Sequence, residues 1–251
     1  MQLTNNTILI TGGATGIGLA LAEAFLQKGN TVIICGRRET ALHDAQRQFP
    51  ALITTVADLA TSAGRTQLAN WLMATYPALN MLVNNAGIQR EFIVTNPDVA
   101  AQFDHENEID TNLTAPIHLT FLLMPHLLGQ PQAAVINVSS GLGYVPKAIM
   151  PVYCATKAAL LSFSTSLRVQ LKGTTVQVFD VAPPIVETDL DQGARARRGQ
   201  KVDGIPAKQV ADETLAGLAR NQFAIAVGKV KLLKVGSRLL PGAFLSLMNK
   251  A

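Results

Sequence analysis

Cysteine is almost missing from this chain of 251 residues: there are two, Cys35 and Cys154. They lie far apart in apolar surroundings, which speaks against a disulfide framework and suits reduced thiols in a cytoplasmic protein. Histidine is also scarce. His43, His105, His118 and His126 show neither His-Glu-x-x-His nor Cys-x-x-Cys spacing, so no metal site is expected. No uncharged apolar run reaches the roughly 18 residues of a membrane-crossing helix, and no transmembrane segment is expected. The opening Met1-Gln2-Leu3-Thr4-Asn5-Asn6 lacks the pattern of a signal peptide. The net charge of +4 is mild. It permits anionic ligands but lacks a basic footprint, so a nucleic-acid partner is not expected.

Apolar residues are abundant, at 48%, enough for a sizeable core and against extended disorder. Short apolar runs alternate with helical stretches. Strands are expected at Thr7–Thr11, Thr31–Cys35, Leu52–Val56, Met81–Asn84, Ala134–Val138, Val176–Val181 and Ala224–Val227. Most are continuous aliphatic runs, the pattern of strands buried on both faces. Helices are expected near 16–28, 38–48, 62–75, 98–128, 152–172 and 206–221. This order predicts an α/β fold: one domain, about seven parallel strands, helices on both faces, three layers. Two segments break the rhythm. Residues 186–205 are polar and contain Arg195, Arg197, Arg198 and Lys201. Residues 229–251 form an apolar, basic tail interrupted by Gly236 and by Pro241-Gly242, which argues against one continuous amphipathic helix.

The first strand runs directly into Thr11-Gly12-Gly13-Ala14-Thr15-Gly16-Ile17-Gly18 and then an apolar-periodic helix. Glycines let the backbone approach a pyrophosphate, and the helix N-terminus offers free N–H groups and positive potential. Placement between strand one and helix one is the context a dinucleotide site requires. The spacing is Gly-x-x-x-Gly-x-Gly rather than Gly-x-Gly-x-x-Gly. The second strand ends in Gly36-Arg37-Arg38. An acid at this point would grip the 2′-hydroxyl of NAD; two guanidinium groups suit the 2′-phosphate of NADP. NADP(H) is therefore preferred over NAD(H).

Ser140, Tyr153 and Lys157 carry the expected chemistry. Tyr153 and Lys157 are four residues apart on an expected helix, hence on one face. A free tyrosine, with a pKa of about 10, is a poor catalyst at neutral pH. A lysine ammonium one turn away favours the phenolate. Ser140, at a strand end, is placed to bond the same reacting oxygen.

These features together resemble the short-chain dehydrogenase/reductase family, over nearly the whole chain and in family order: Thr11–Gly18, Asp58 in Ala57-Asp58-Leu59, Asn84-Asn85-Ala86-Gly87, Asn112, Ser140, Tyr153 and Lys157. The resemblance implies a Rossmann-type doubly wound fold and an oxidoreductase that exchanges hydride between a nicotinamide cofactor and a small carbonyl or alcohol. It implies that Tyr153 moves the proton and that Lys157 lowers its pKa and holds the nicotinamide ribose. Ser140 orients the substrate oxygen, and Asn112 holds a water that relays protons to Lys157. It also implies cofactor contacts from Gly12, Thr15, Gly16, Ile17, Gly18, Arg37, Arg38, Asp58, Leu59, Asn85, Ala86 and Gly87. Further contacts fall to Tyr153, Lys157, Pro183, Ile185 and Thr188. A homodimer or homotetramer is implied, through the helices that hold Asn112 and Tyr153. One departure is Pro183-Pro184-Ile185-Val186-Glu187-Thr188, where the family usually has Pro-Gly-x-Val-x-Thr. Pro184 removes an N–H and the freedom for positive φ. The Pro-Pro-x-Val-x-Thr-Asp-Leu form resembles the subgroup of DltE-like oxidoreductases.

The substrate end is less defined. Ser140, Leu142, Tyr144, Met150 and Tyr153 are the expected lining, with Gln89 beside them. Segment 186–205 reads as a lid, its arginines either clamping an anionic substrate or simply solvated. The tail reads as an interface helix, a pocket cover or a membrane-surface segment. A non-catalytic NADP(H)-binding sensor is the other reading of the whole chain.

Overall fold

The computed structural model describes residues 1–104, 108–190, 199 and 204–250. Seven strands form one sheet: β1 Thr7–Thr11, β2 Thr31–Gly36, β3 Ile53–Val56, β4 Leu79–Asn84, β5 Ala133–Val138, β6 Val176–Ala182 and β7 Ala224–Ala226. Their spatial order is β3-β2-β1-β4-β5-β6-β7, and every pairing is parallel. The helices are α1 Gly16–Leu26, α2 Glu39–Gln48, α3 Ser62–Thr75, α4 Val99–Asp104, α5 Ala115–Leu128, α6 Pro151–Gln170, α7 Ala207–Ala219, α8 Val230–Leu239 and α9 Pro241–Met248.

The sheet explains why its strands read as unbroken apolar runs. In β1, Ile8 and Ile10 enter a core with Leu21 and Phe25 of α1 and with Val210 and Leu218 of α7. Leu9 points the other way, into a second core with Leu68 and Leu72 of α3 and Leu119 and Leu123 of α5. Successive strand side chains alternate faces, and both faces are covered, so neither parity can be polar. The strand order runs outward from β1 to β3, then restarts at β4 on the other side of β1. The connections that leave β1 and β4 part there, which opens a crevice at the carboxyl ends of the strands.

One expectation changes, and one gains detail. The helix expected over 98–128 is not α-helical throughout its described residues. It contains α4, a π-helical turn at Asp110–Thr114 and then α5. Pro116 closely follows the π-helical turn, and its missing N–H takes one donor from the helical ladder there. The tail is a helical hairpin. Leu240, at φ −137°, joins α8 to α9, and the Phe244 ring lies against Gly236, where a side chain would collide with it. No helix among the described residues is long and apolar enough to cross a membrane.

Candidate active site

The phosphate end is built by stitching the end of β1 to the end of β4. The Thr11 hydroxyl accepts from the backbone N–H groups of Asn85 (3.0 Å) and Ala86 (3.0 Å) and donates to the Val83 carbonyl (3.3 Å). The Asn85 amide donates back to the carbonyls of Thr11 (3.0 Å) and Gly12 (3.1 Å). Gly12 holds φ +62°, and a Cβ there would lie 2.8 Å from Ala86 Cα. A Cβ on Gly18 would press into the Gly12 carbonyl oxygen and the Asn85 amide. At Gly12 and Gly18 the backbone therefore leaves no room for a side chain.

Thr15 precedes α1 in extended conformation, and its side chain makes no capping bond to the helix. The first-turn N–H groups of α1 thus remain available to an anion. Residues Pro183–Thr188 fold back over this loop. A Cβ on Gly16 would sit 2.9 Å from Thr188 Cγ2, and the Pro183 carbonyl accepts from Gly141 N–H at 2.9 Å. Despite Pro184, the segment keeps its backbone bonds: Glu187 N–H donates to Ile205 and Ile205 N–H to Ile185, both at 3.0 Å. Arg37 and Arg38 are exposed just beyond β2, with open space where a Gly36 side chain would stand. The Asp58 carboxylate caps its own turn, accepting from Ala60 N–H at 3.0 Å, and Leu59 is buried beside it. These observations fit a dinucleotide: a cradle that any Cβ would fill, a free helix N-terminus and two guanidinium groups at the strand end.

The chemical end lies where β5 meets α6. Ser140 follows β5, and its hydroxyl accepts from Leu142 N–H at 3.1 Å, capping a 3-10 turn at Gly141–Gly143. Tyr153 lies in the first turn of α6 and Lys157 one turn on, both buried. Lys157 Nζ donates to the Val138 carbonyl at 2.9 Å and lies 5.6 Å from the centre of the Tyr153 ring. Burial pulls the Lys157 ammonium from its ordinary 10.5 down to about 8, against the opposing pull of Asp180 and Glu108. Asn112 projects from the π-helical turn and is fully buried. Its carbonyl accepts from Ile88 N–H (2.9 Å); its amide donates to the Ile88 carbonyl (2.8 Å) and to Thr156 Oγ1 (3.3 Å). It clamps the chain after Gly87 to α6.

The expected substrate wall divides. Leu142 and Met150 pack with Tyr153, whereas Tyr144 packs with Ala182, Ala226 and Val230. Burial, and secondarily Asp180, raises the Tyr144 phenol to about 12. Arg195, Arg197, Arg198 and Lys201, and most of the expected lid, lie outside the described residues.

Sequence reasoning passed over the polar ladder behind the site. Asn84 donates to Asn137 (2.8 Å) and Thr120 (3.2 Å), and Asn137 donates to Ser164 (2.9 Å). Asp180 continues the row, paired in register with Asn137. It is 3% exposed, and neither of its carboxylate oxygens has a well-formed hydrogen bond. The nearby Ser139 hydroxyl donates to the Val181 carbonyl at 3.1 Å and is only shared with it. Burial raises the Asp180 carboxyl from 3.8 to about 6, opposed by Ser139, Arg168, Lys234 and Lys157. A single carboxylate inside the apolar run Val178-Phe179-Asp180-Val181 was the available signal.

This crevice and its tyrosine–lysine face define a nicotinamide-dependent oxidoreductase. Residues 6–199 match the family model described as short chain dehydrogenase, and the chain belongs to that family, whose enzymes act on CH–OH groups. It is 46% identical, over 95% of this chain and 94% of the relative, to the uncharacterized oxidoreductase DltE of Bacillus subtilis (strain 168). It is 33% identical, over 71% of this chain and 72% of the relative, to the NADP-dependent 3-hydroxy acid dehydrogenase YdfG of Shigella flexneri. Its fold is like that of a short chain dehydrogenase/reductase from Burkholderia phymatum, solved in complex with NAD. The TM-score is 0.85 at 22% identity, covering 100% of this chain and 97% of that one.

Proposed function

We propose that the chain is an NADP(H)-dependent oxidoreductase that interconverts a carbonyl and a secondary alcohol, with Tyr153 as general acid and base. The observation that carries this reading is the buried Tyr153–Lys157 pair, one helical turn apart, whose ammonium is held beside the phenol by the Val138 carbonyl. The phenol hydroxyl gives a proton to the substrate oxygen on reduction and takes it back on oxidation. Lys157 stabilises the phenolate left behind. Ser140 Oγ, at the end of the adjacent strand, bonds the same oxygen. Asn112 is a positioning residue: it fixes the Gly87–Ile88 chain against Thr156, and so against the helix that carries the pair. When bound, the cofactor supplies the hydride chemistry. Gly12, Thr15, Gly16, Ile17 and Gly18 would hold its pyrophosphate. Asp58 and Leu59 would flank its adenine, and Asn85, Ala86, Gly87, Pro183, Ile185 and Thr188 its nicotinamide half.

The NADP preference rests on Arg37 and Arg38 standing where an acid would select NAD. It is supported by the resemblance to a relative named NADP-dependent. Leu142 and Met150 form the apolar side of the substrate site, for a small carbonyl or alcohol. A cytoplasmic homodimer or tetramer through α5 and α6 is part of the same proposal. Phe121 and Val169, both large and exposed on those helices, support the assembly.

The test is a panel of ketones, 3-hydroxy acids and secondary alcohols with NADPH or NADP⁺, for the wild type and Tyr153→Phe. The variant is expected to bind NADPH and to lose turnover about 100-fold or more. Equal turnover by both proteins would remove Tyr153 as the acid.

A further inference from the structure

After Glu213 the chain carries no Asp or Glu up to Lys250, while Arg220, Lys229, Lys231, Lys234, Arg238 and Lys250 fall in that stretch. All but Arg220 lie on or beside the α8–α9 hairpin. The hairpin is seated on the fold by one face. Val230 is fully buried, and a Cβ on Gly141 would meet its methyl at 2.9 Å. Asn249 staples the far end, accepting from Ala148 N–H (2.7 Å) and donating to the Pro146 carbonyl (3.1 Å).

The opposite face is apolar and uncovered. Leu232, Val235 and Leu239 recur at helical spacing along α8, with exposures of 66%, 56% and 73%. Leu240 at the junction and Leu245 and Leu247 on α9 are exposed as well. Arg238 and Lys250 are exposed beside it. Lys231 reaches Glu213 at 3.4 Å, and Glu213 is the last acid before the hairpin. Leucines rimmed by cations with no acid among them form a surface matched to a bilayer interface with anionic headgroups. A second copy is a poorer match, because a two-fold contact would bring cation against cation without a hairpin carboxylate to meet either.

We propose that the α8–α9 hairpin is a peripheral docking surface for an anionic lipid bilayer: its leucines enter the acyl boundary, and Arg238, Lys250 and neighbouring lysines meet the headgroups. This inference does not depend on which substrate the enzyme takes.

The test is co-sedimentation of the full chain with vesicles of phosphatidylcholine alone, or of phosphatidylcholine mixed with the anionic lipid phosphatidylglycerol, at low and high salt. Binding is expected on the anionic vesicles only, and weaker at high salt. Leu232→Ser/Leu239→Ser should weaken it about tenfold or more, since both leucines leave water on binding. Arg238→Gln/Lys250→Gln should weaken it about tenfold, each cation being worth several-fold near such a surface. All four positions are exposed, so unfolding midpoints should match the wild type. Absence of binding, or equal binding to both vesicle types, overturns the proposal. So does a lipid-free result in which the leucine pair alone converts an oligomer to a smaller species by light scattering, because the face then belongs to a second copy.

Discussion

Asp180→Asn isolates what the buried carboxylate contributes. Asn has nearly the same shape, so packing beside Asn137 is preserved and the change is one of ionisation. The carboxyl rises from 3.8 in the unfolded chain to about 6 in the fold. Below pH 3.8 both states are protonated, and the group costs the fold nothing through ionisation. As pH rises from 3.8 to about 6 the unfolded chain gives up its proton while the folded carboxyl keeps it, so stability is lost across that window and levels off once the folded group has ionised too. The full gap corresponds to about 3 kcal/mol well above pH 6, and about half of that has already been lost at pH 5. Asn carries no such penalty. Relative to the wild type, Asp180→Asn should therefore gain on the order of 1 to 2 kcal/mol of stability between pH 5 and pH 8. Urea unfolding of both proteins at the two pH values measures this directly. An equal difference at both pH values, or a variant that loses ground at pH 8, would refute the assignment of a raised carboxyl. The same charge helps Lys157 keep its proton. The pH at which turnover depends on Lys157 should therefore move down in the variant, which a purely structural role for Asp180 would not produce.

Two further outcomes test the cofactor end. Gly18→Ala presses a methyl into the Gly12 carbonyl and the Asn85 amide, so NADPH affinity by fluorescence titration should fall by about tenfold or more, with the wild-type affinity as the contrary result. Arg37→Ala should weaken NADPH about tenfold while leaving NADH within about twofold, since only the former carries the 2′-phosphate; equal weakening of both would place Arg37 elsewhere.

The parallel α/β sheet could be read in advance because β1, β2, β4 and β5 are unbroken apolar runs, and such runs are stable only when both faces are buried. The glycine turn was legible for a similar reason: Gly12, Gly16 and Gly18 are needed by the local backbone. Tyr153 and Lys157 share a helix, so four residues of spacing sufficed to put them on one face. Each of these depends on neighbours within a turn or two of chain. What depends on distant partners was hidden. Asn85 reads as a cofactor contact, but that its amide also ties the carbonyls of Thr11 and Gly12 together appears only in the fold. That Tyr144 packs against β7 and α8 could not be read from its place in the sequence. The π-helical turn that aims Asn112 at Ile88 cannot be seen in a run that reads as one helix. Asp180 was one acid in a strand until α6 and α8 closed over it. In each case a side chain's role was set by which groups compete for it once strands and helices far apart in sequence have packed and water has been excluded. Local periodicity carries no information about that competition.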